Sequence, residues 1–183
     1  MIKDKDIDQE NCVHEYRVAL FLSAGSQNRE WGVDNYCELV TLLHSLCRMD
    51  FVLLGAGANT EAYGIELESK LGFPVRNLIG KTTLRETIAV LQKCDLYIGG
   101  DTGPMHMAAA CGLKGVAISK HAKNADKSNV SSKERFGPWQ SKIQFIQPGY
   151  SLLGCENGCD KLYAHCIKQV SVENVYDILI SNF

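Results

Sequence analysis

The chain has 183 residues, 45% hydrophobic and 22% charged, which suits one globular domain with at most a small appendage. Lys and Arg total 19 against 21 Asp and Glu, and the formal net charge of −2 excludes a nucleic-acid or anionic-membrane partner held by bulk charge. No apolar run reaches bilayer length, and the opening MIKDKDIDQENCVHEY lacks the apolar stretch of a secretory signal, so a cytoplasmic location is expected.

Residues 1–16 are polar and unpatterned and read as a flexible arm. RVALFLS (17–23) is a continuously apolar run and predicts a buried strand. From Asp34 to Cys47, Tyr36, Leu39, Val40, Leu43, Leu46 and Cys47 share one helical face. FVLLG (51–55) predicts a second strand, and Thr60–Leu71 a helix stopped by Gly72 and Pro74. PVRNLIG holds a short third strand. Thr83-Leu84-Arg85-Glu86 spells a capping box, opening a helix expected to bury Leu84, Ile88 and Leu91. DLYIGG (95–100) is a fourth strand, followed by a helix starting within GDTGPMH. KGVAIS (114–119) and KIQFIQ (142–147) are the fifth and sixth strands, separated by a long polar loop over 120–142 of the kind usually functional or mobile. Ser171–Asn182 predicts a last helix, with Val175, Ile178 and Leu179 as its stripe.

Strands that alternate with helices and are apolar throughout imply a six-stranded parallel sheet covered on both faces, a Rossmann-like α/β fold. Ligands of such sheets sit beyond the carboxyl ends of the strands, where strand order reverses. All three glycine-rich turns, SAGSQ, GAGAN and GGDTGP, follow predicted strands. In the last, Thr102 can cap the helix or Gly103 can let a phosphate approach the backbone, with Pro104 at the first helical position. The helix N-terminus favours an anion, and His106 in its first turn can donate to a phosphate oxygen or, when charged, pair with it. Asp101 would repel a diphosphate directly. Its uses are to hold the N–H groups of the turn, to accept from a sugar hydroxyl, or to hold a divalent cation. Simple capping by Asp101 and Thr102, with His106 an ordinary polar residue, is the alternative. Ser23 and Ser26 offer hydroxyls beside Gly25, and Arg29 offers a charge-assisted donor to phosphate, although alone it reads as a solvated charge. Glu61 suits a helix first turn through the dipole, with a ribose hydroxyl as its functional alternative. GAGAN is not a G-x-G-x-x-G fingerprint, which argues against a dinucleotide enzyme.

Of eight cysteines, Cys12, Cys37, Cys47, Cys94 and Cys111 are scattered and read as buried thiols. Cys155, Cys159 and Cys166 cluster in GCENGCDKLYAHC beside His165. A Cys3His zinc or iron site is one reading and a disulfide another. The absence of C-x2-C, and the rarity with which neighbours such as His165 and Cys166 face one metal, make free thiols the expectation. No metal and no cofactor are expected.

DTGPMHMAAACG (101–112) resembles the D-T-G-x-x-H-x-A-A-x-x-G signature of glycosyltransferase family 9, the ADP-heptose:lipopolysaccharide heptosyltransferases. SAGSQNREWGVDNYCELV, LLGAGANTE and GKTTLRETIAVLQKCDLYIGGD resemble the segments that precede it in that family, and the likeness runs from about Arg17 to the C-terminus. The resemblance implies the C-terminal half of a GT-B enzyme, a domain over 17–150 that binds a nucleotide sugar, by resemblance an ADP-sugar, with a cysteine-containing tail and helix over 151–183 packed on it. Ser23, Ser26 and Arg29 would line the phosphate pocket, Glu61 would meet the ribose, and Asp101, Thr102, Gly103 and His106 would cradle diphosphate and sugar. Arg29 stands where the family has Lys, and a guanidinium fork binds phosphate differently from an ammonium. The family's acceptor half and catalytic carboxylate have no counterpart in the arm, so a missing acceptor domain or partner chain is expected, with membrane contact only through the acceptor. A non-catalytic nucleotide-binding module that needs a partner is the alternative function.

Overall fold

A computed structural model describes residues 16–46 and 48–181. The predicted arm, apart from Tyr16, and both Cys12 and Cys47 lie outside the described residues. Six strands form one sheet: β1 (Tyr16–Phe21), β2 (Met49–Leu53), β3 (Arg76–Asn77), β4 (Leu96–Gly100), β5 (Lys114–Ile118) and β6 (Lys142–Ile146). Their order is β3-β2-β1-β4-β5-β6, and every pairing is parallel. The chain winds outward from β1 to β3, then crosses back to place β4 against the other side of β1. The topological switch point therefore lies between β1 and β4.

The alternation of side chains along a strand divides the core into two layers. Val18 and Leu20 of β1 point into a cluster with Tyr36, Leu39 and Leu43 of α1 (Val33–Leu46), Leu67 of α2 (Ala58–Lys70), and Val175 and Leu179 of α6 (Val172–Ile180). Ala19 and Phe21 point the other way, to Leu91 of α3 (Leu84–Leu91) and to Met105 and Ala108 of α4 (Gly103–Ala110). Helices thus cover both faces, as continuously apolar strands require. Trp31 clamps the chain ends of this layer: its indole N–H donates to the Val170 carbonyl at 2.6 Å, and its ring meets Tyr36 edge-on at 5.0 Å.

Three local expectations are revised. The capping box at Thr83 and Glu86 is formed in both directions, yet Leu84 is 67% exposed and Ile88 only half-buried, while Thr87 and Leu91 are buried. The apolar stripe of α3 thus stops short of its first turn, which carries the capping box. The loop over 120–141 is not wholly irregular and contains a single-turn helix, α5 (Lys133–Phe136), capped by the Ser132 hydroxyl. Cys37, Cys94 and Cys111 are half-buried rather than buried.

Close strand packing in the centre depends on two glycines. A Cβ on Gly99 would meet Phe21 Cβ and the Tyr97 ring at 2.7–2.9 Å. Gly115, at φ +135°, would put a Cβ 2.0 Å from the Tyr97 carbonyl oxygen on the paired strand. We expect Gly115→Ala to lower stability by on the order of 3 kcal/mol or more, read as a lower thermal midpoint, because both backbone conformation and space forbid the methyl. An unchanged midpoint would contradict this packing.

Candidate functional site

The carboxyl ends of β1 and β4 diverge at the switch point, and each runs into a glycine-rich turn. After β4, Asp101 is 1% exposed. One carboxylate oxygen, Oδ2, accepts from the Ser119 hydroxyl at 2.8 Å, and Ser119 sits at the end of β5. The other, Oδ1, is buried with no hydrogen-bond partner among the described residues. Ser119, one strand over, positions the carboxylate. Burial pushes its pKa above the ordinary aspartate value, opposed by the Ser119 hydroxyl, the nearby Arg29 cation, the backbone N–H of Asp101 itself and the Lys120 cation.

Thr102 adopts the extended N-cap backbone of α4, but its side chain makes no cap bond. Its N–H turns to the Gly100 carbonyl and the Met105 N–H to the Thr102 carbonyl, while Pro104 has no N–H. Among the described residues, the Gly103 N–H is left as the uncommitted donor of the first turn. Nothing lies within 4 Å of where a Gly103 Cβ would stand, so the backbone is open to a ligand there. His106 is exposed, and its ring meets Phe136 edge-on at 5.0 Å.

Across the crevice, Ser23 bonds Thr60 Oγ1 at 2.6 Å, joining the turn after β1 to α2. A 3-10 turn over Gln27–Arg29 follows. Ser26 is exposed and donates to Asn28 Oδ1 at 2.9 Å. Arg29 reaches Ser131 Oγ at 3.4 Å, in the long loop. Glu61 is exposed in the first turn of α2, where its Oε1 lies 2.8 Å from the point a Gly80 Cβ would occupy, so it stands at the carboxyl ends of β2 and β3. Ser23, Arg29 and Asp101 thus gather around the switch point with Thr102, Gly103 and His106. Glu61 stands at its β2 side.

The sequence model of glycosyltransferase family 9 (heptosyltransferase) matches residues 3–148. The chain belongs to glycosyltransferase family 9. The lipooligosaccharide heptosyltransferase 2 of Campylobacter jejuni is 29% identical over 135 residues, covering 70% of this chain and 39% of that protein. The lipopolysaccharide core heptosyltransferase OpsX of Haemophilus influenzae is 28% identical over 91 residues, 49% of this chain and 26% of its own. Among solved structures, E. coli ADP-heptose lps heptosyltransferase II superposes with a TM-score of 0.69 at 22% identity, over 91% of this chain and 46% of that one. E. coli heptosyltransferase WaaC, solved with ADP, gives 0.68 at 17% identity over 96% and 47%. The chain therefore spans less than half the length of these relatives. At such identities the superpositions establish the shared Rossmann-like fold.

In this family-9 chain the long loop brings residues that spacing alone did not single out. Lys120, just past β5, donates from Nζ to the Cys159 carbonyl at 2.6 Å. Burial lowers its pKa, and the neighbouring Arg29 cation lowers it further. Buried His121 follows it, with both ring nitrogens unpartnered among the described residues. Thr60 and Ser119 complete the polar frame. Only a small hydroxyl at a strand end marked Ser119, and Lys120 stood in an undifferentiated run of polar residues. A cleft of about 590 Å³ lies instead at the amino ends of β1 and β2, lined by Arg17, Met49, Asp50 and Asp95. Ligands of open parallel sheets bind at the opposite end. No described helix is long and apolar enough to cross a membrane.

The Asp101 environment sets a sign for pH dependence. Because its folded pKa is raised, the folded chain holds this proton more tightly than the unfolded chain. Its contribution to stability is complete below the unfolded value, near ~4, and is lost as pH rises through the raised folded value. We expect Asp101→Asn to match or exceed the parent's thermal midpoint at neutral pH, with the difference closing as pH falls through that window. A large loss of stability at neutral pH would show that the carboxylate charge is compensated in the ligand-free fold.

Proposed function

We propose that this chain is the donor half of a heptosyltransferase-like glycosyltransferase of lipopolysaccharide or related glycan synthesis, binding an ADP-sugar at the β1/β4 switch point. The observation that carries the proposal is the buried Asp101 carboxylate with one free oxygen, set beside two cations, Arg29 and Lys120. Burial lowers the pKa of Lys120 and the like charge of Arg29 lowers it further, so an added anion in this crevice would favour both cations. A diphosphate supplies the missing negative charge. Arg29 and Lys120 then hold its oxygens, the Gly103 N–H and the α4 dipole bind it end-on, and His106 donates from the side. The free oxygen of Asp101 accepts from a sugar hydroxyl, so it faces the sugar and not the phosphates. Ser23, Ser26 and Thr102 complete the polar wall, and Glu61 takes the ribose. That the E. coli relative WaaC was solved with ADP supports adenine as the base.

In transfer, negative charge develops on the departing diphosphate, and groups already aimed at it lower the barrier without rearranging. The acceptor half, upstream in a GT-B arrangement or on a partner chain, supplies the base that deprotonates the acceptor hydroxyl. On this reading the donor domain occupies 17–150 with the tail over 151–183 packed on it, the enzyme works in the cytoplasm, and membrane contact comes through the acceptor alone.

Calorimetric titration with ADP, UDP, GDP and NAD tests the proposal. ADP should bind in preference to the others, with Arg29→Ala and His106→Ala each weakening it about tenfold, as expected for a lost charge-assisted bond. Absence of binding by every nucleotide, or equal binding by the variants, would overturn the assignment. Selective binding of ADP without sugar transfer in the presence of an acceptor half would make the chain a nucleotide-binding subunit.

A further inference from the structure

Between β6 and a 3-10 turn at Cys166–Gln169, the chain runs over 147–165 with no helix or strand. Two of its leucines face outward: Leu153 is 94% exposed and Leu162 88%. Cys155, Cys159 and Cys166 are the ones turned in, exposed by 1%, 5% and 1%, and they form a separate cluster with only Leu152 packed against it. Three thiols and one leucine are too small a core to hold an irregular segment against its conformational entropy.

His165 completes the cluster. Its Nδ1 lies 3.6 Å from Cys155 Sγ, 3.9 Å from Cys159 Sγ and 3.5 Å from Cys166 Sγ. All four ligand atoms fall within 4.8 Å of one another. Neighbouring side chains of an extended backbone point to opposite sides. At His165 the backbone turns (φ −128°, ψ −89°) into the 3-10 segment, which brings His165 and Cys166 to the same side.

We propose that Cys155, Cys159, His165 and Cys166 bind one zinc ion in a closed, structural site. A tetrahedral zinc with bonds of about 2.3 Å to sulfur and about 2.0–2.1 Å to nitrogen spaces its ligands about 3.6–3.8 Å apart; the three nitrogen–sulfur distances, 3.5–3.9 Å, lie close to this, and no ligand pair exceeds 4.8 Å. Three soft thiolates and an imidazole select zinc over calcium, magnesium or manganese. A polynuclear iron–sulfur cluster would interpose its own atoms and spread the sulfurs farther. Binding displaces the thiol protons, leaving three thiolates and a neutral imidazole around Zn²⁺ with a net charge of −1. The Lys120 ammonium on the Cys159 carbonyl lies next to that charge.

The ion sits where it can brace the crevice. The Cys159 carbonyl anchors Lys120, and the Lys161 carbonyl accepts from Asn28 Nδ2 at 2.6 Å, in the turn that carries Arg29. The Glu156 carbonyl accepts from the Asp126 N–H at 2.8 Å, and the Asn157 carbonyl from Asn129 Nδ2 at 2.5 Å, both from the long loop. The zinc site stands on its own geometry and does not depend on the donor being an ADP-sugar.

The test is metal analysis of the full chain, purified under reducing conditions without chelator from zinc-supplemented cells, with no nucleotide present. Zinc should be found at about one per chain, and Cys159→Ser should lower it at least about tenfold, while Cys37→Ser, outside the cluster, leaves it unchanged. If Cys159→Ser does not fold, cobalt exchanged into the unaltered protein gives the same answer. A tetrahedral thiolate site shows strong visible d–d bands and a near-ultraviolet sulfur-to-cobalt charge-transfer band. Substoichiometric zinc together with no such cobalt spectrum would overturn the proposal. So would a disulfide among the three cysteines in protein alkylated without reduction, or an iron–sulfur absorption spectrum in the purified chain.

Discussion

The reversal of strand order at β1 is the constraint on which the rest of the molecule depends. Once β4 returns to the free side of β1, the turns after these two strands must part, one toward each face of the sheet. That parting creates a crevice with backbone on both walls and leaves the start of α4 pointing at it. Gly99 lets β4 lie against Phe21, and Gly115 lets β5 lie against Tyr97. Asp101 is then carried to a position where Ser119, one strand over, is its hydrogen-bond partner. Its burial is a consequence of topology, and its second oxygen, unpartnered among the described residues, carries a polar cost.

The electrostatics follow from the same geometry. Arg29 comes from the turn after β1 and Lys120 from the segment after β5, and both lie close enough to Asp101 to lower its pKa against the effect of burial. The three charges are not a closed salt-bridge network. Lys120 donates to a carbonyl and Arg29 to a serine hydroxyl, and among the described residues neither makes an ion pair with the carboxylate. On the proposed reading, these two cations and the half-satisfied carboxylate receive a ligand of mixed character, anionic at one end and rich in hydroxyls at the other.

Much of this was legible in the residues. Largely apolar runs mark β1, β2, β4 and β5 because parallel strands are buried on both faces, the edge strand β6 alternates apolar and polar residues, and the third, two residues long, shows mainly in its flanking glycine turns. The GDTGPMH turn reads directly because Pro104 and the alanines after His106 have few other uses in sequence. What could not be read depends on chain segments far apart in sequence. Ser119 meets Asp101 across 18 residues, Ser23 meets Thr60 across 37, and Lys120 meets the Cys159 carbonyl across 39. Leu84 shares the helical period of Ile88 and Leu91 yet is exposed, since periodicity alone does not report what packs against a helix end. His165 beside Cys166 looked unfit to share a partner, since spacing carries no information about the turn in the backbone that brings both side chains round.

The central claim is that ligand binding belongs to the carboxyl ends of β1 and β4. Amide chemical-shift mapping of the isotopically labelled chain during ADP titration tests it most directly. The account predicts that the largest shifts fall on Gly103, on Ser23 through Arg29, and on Ser119 and Lys120, with smaller ones near Glu61. Shifts concentrated instead on Arg17, Asp50 and Asp95, at the amino ends of the strands, would contradict it and move the site to the opposite edge of the sheet.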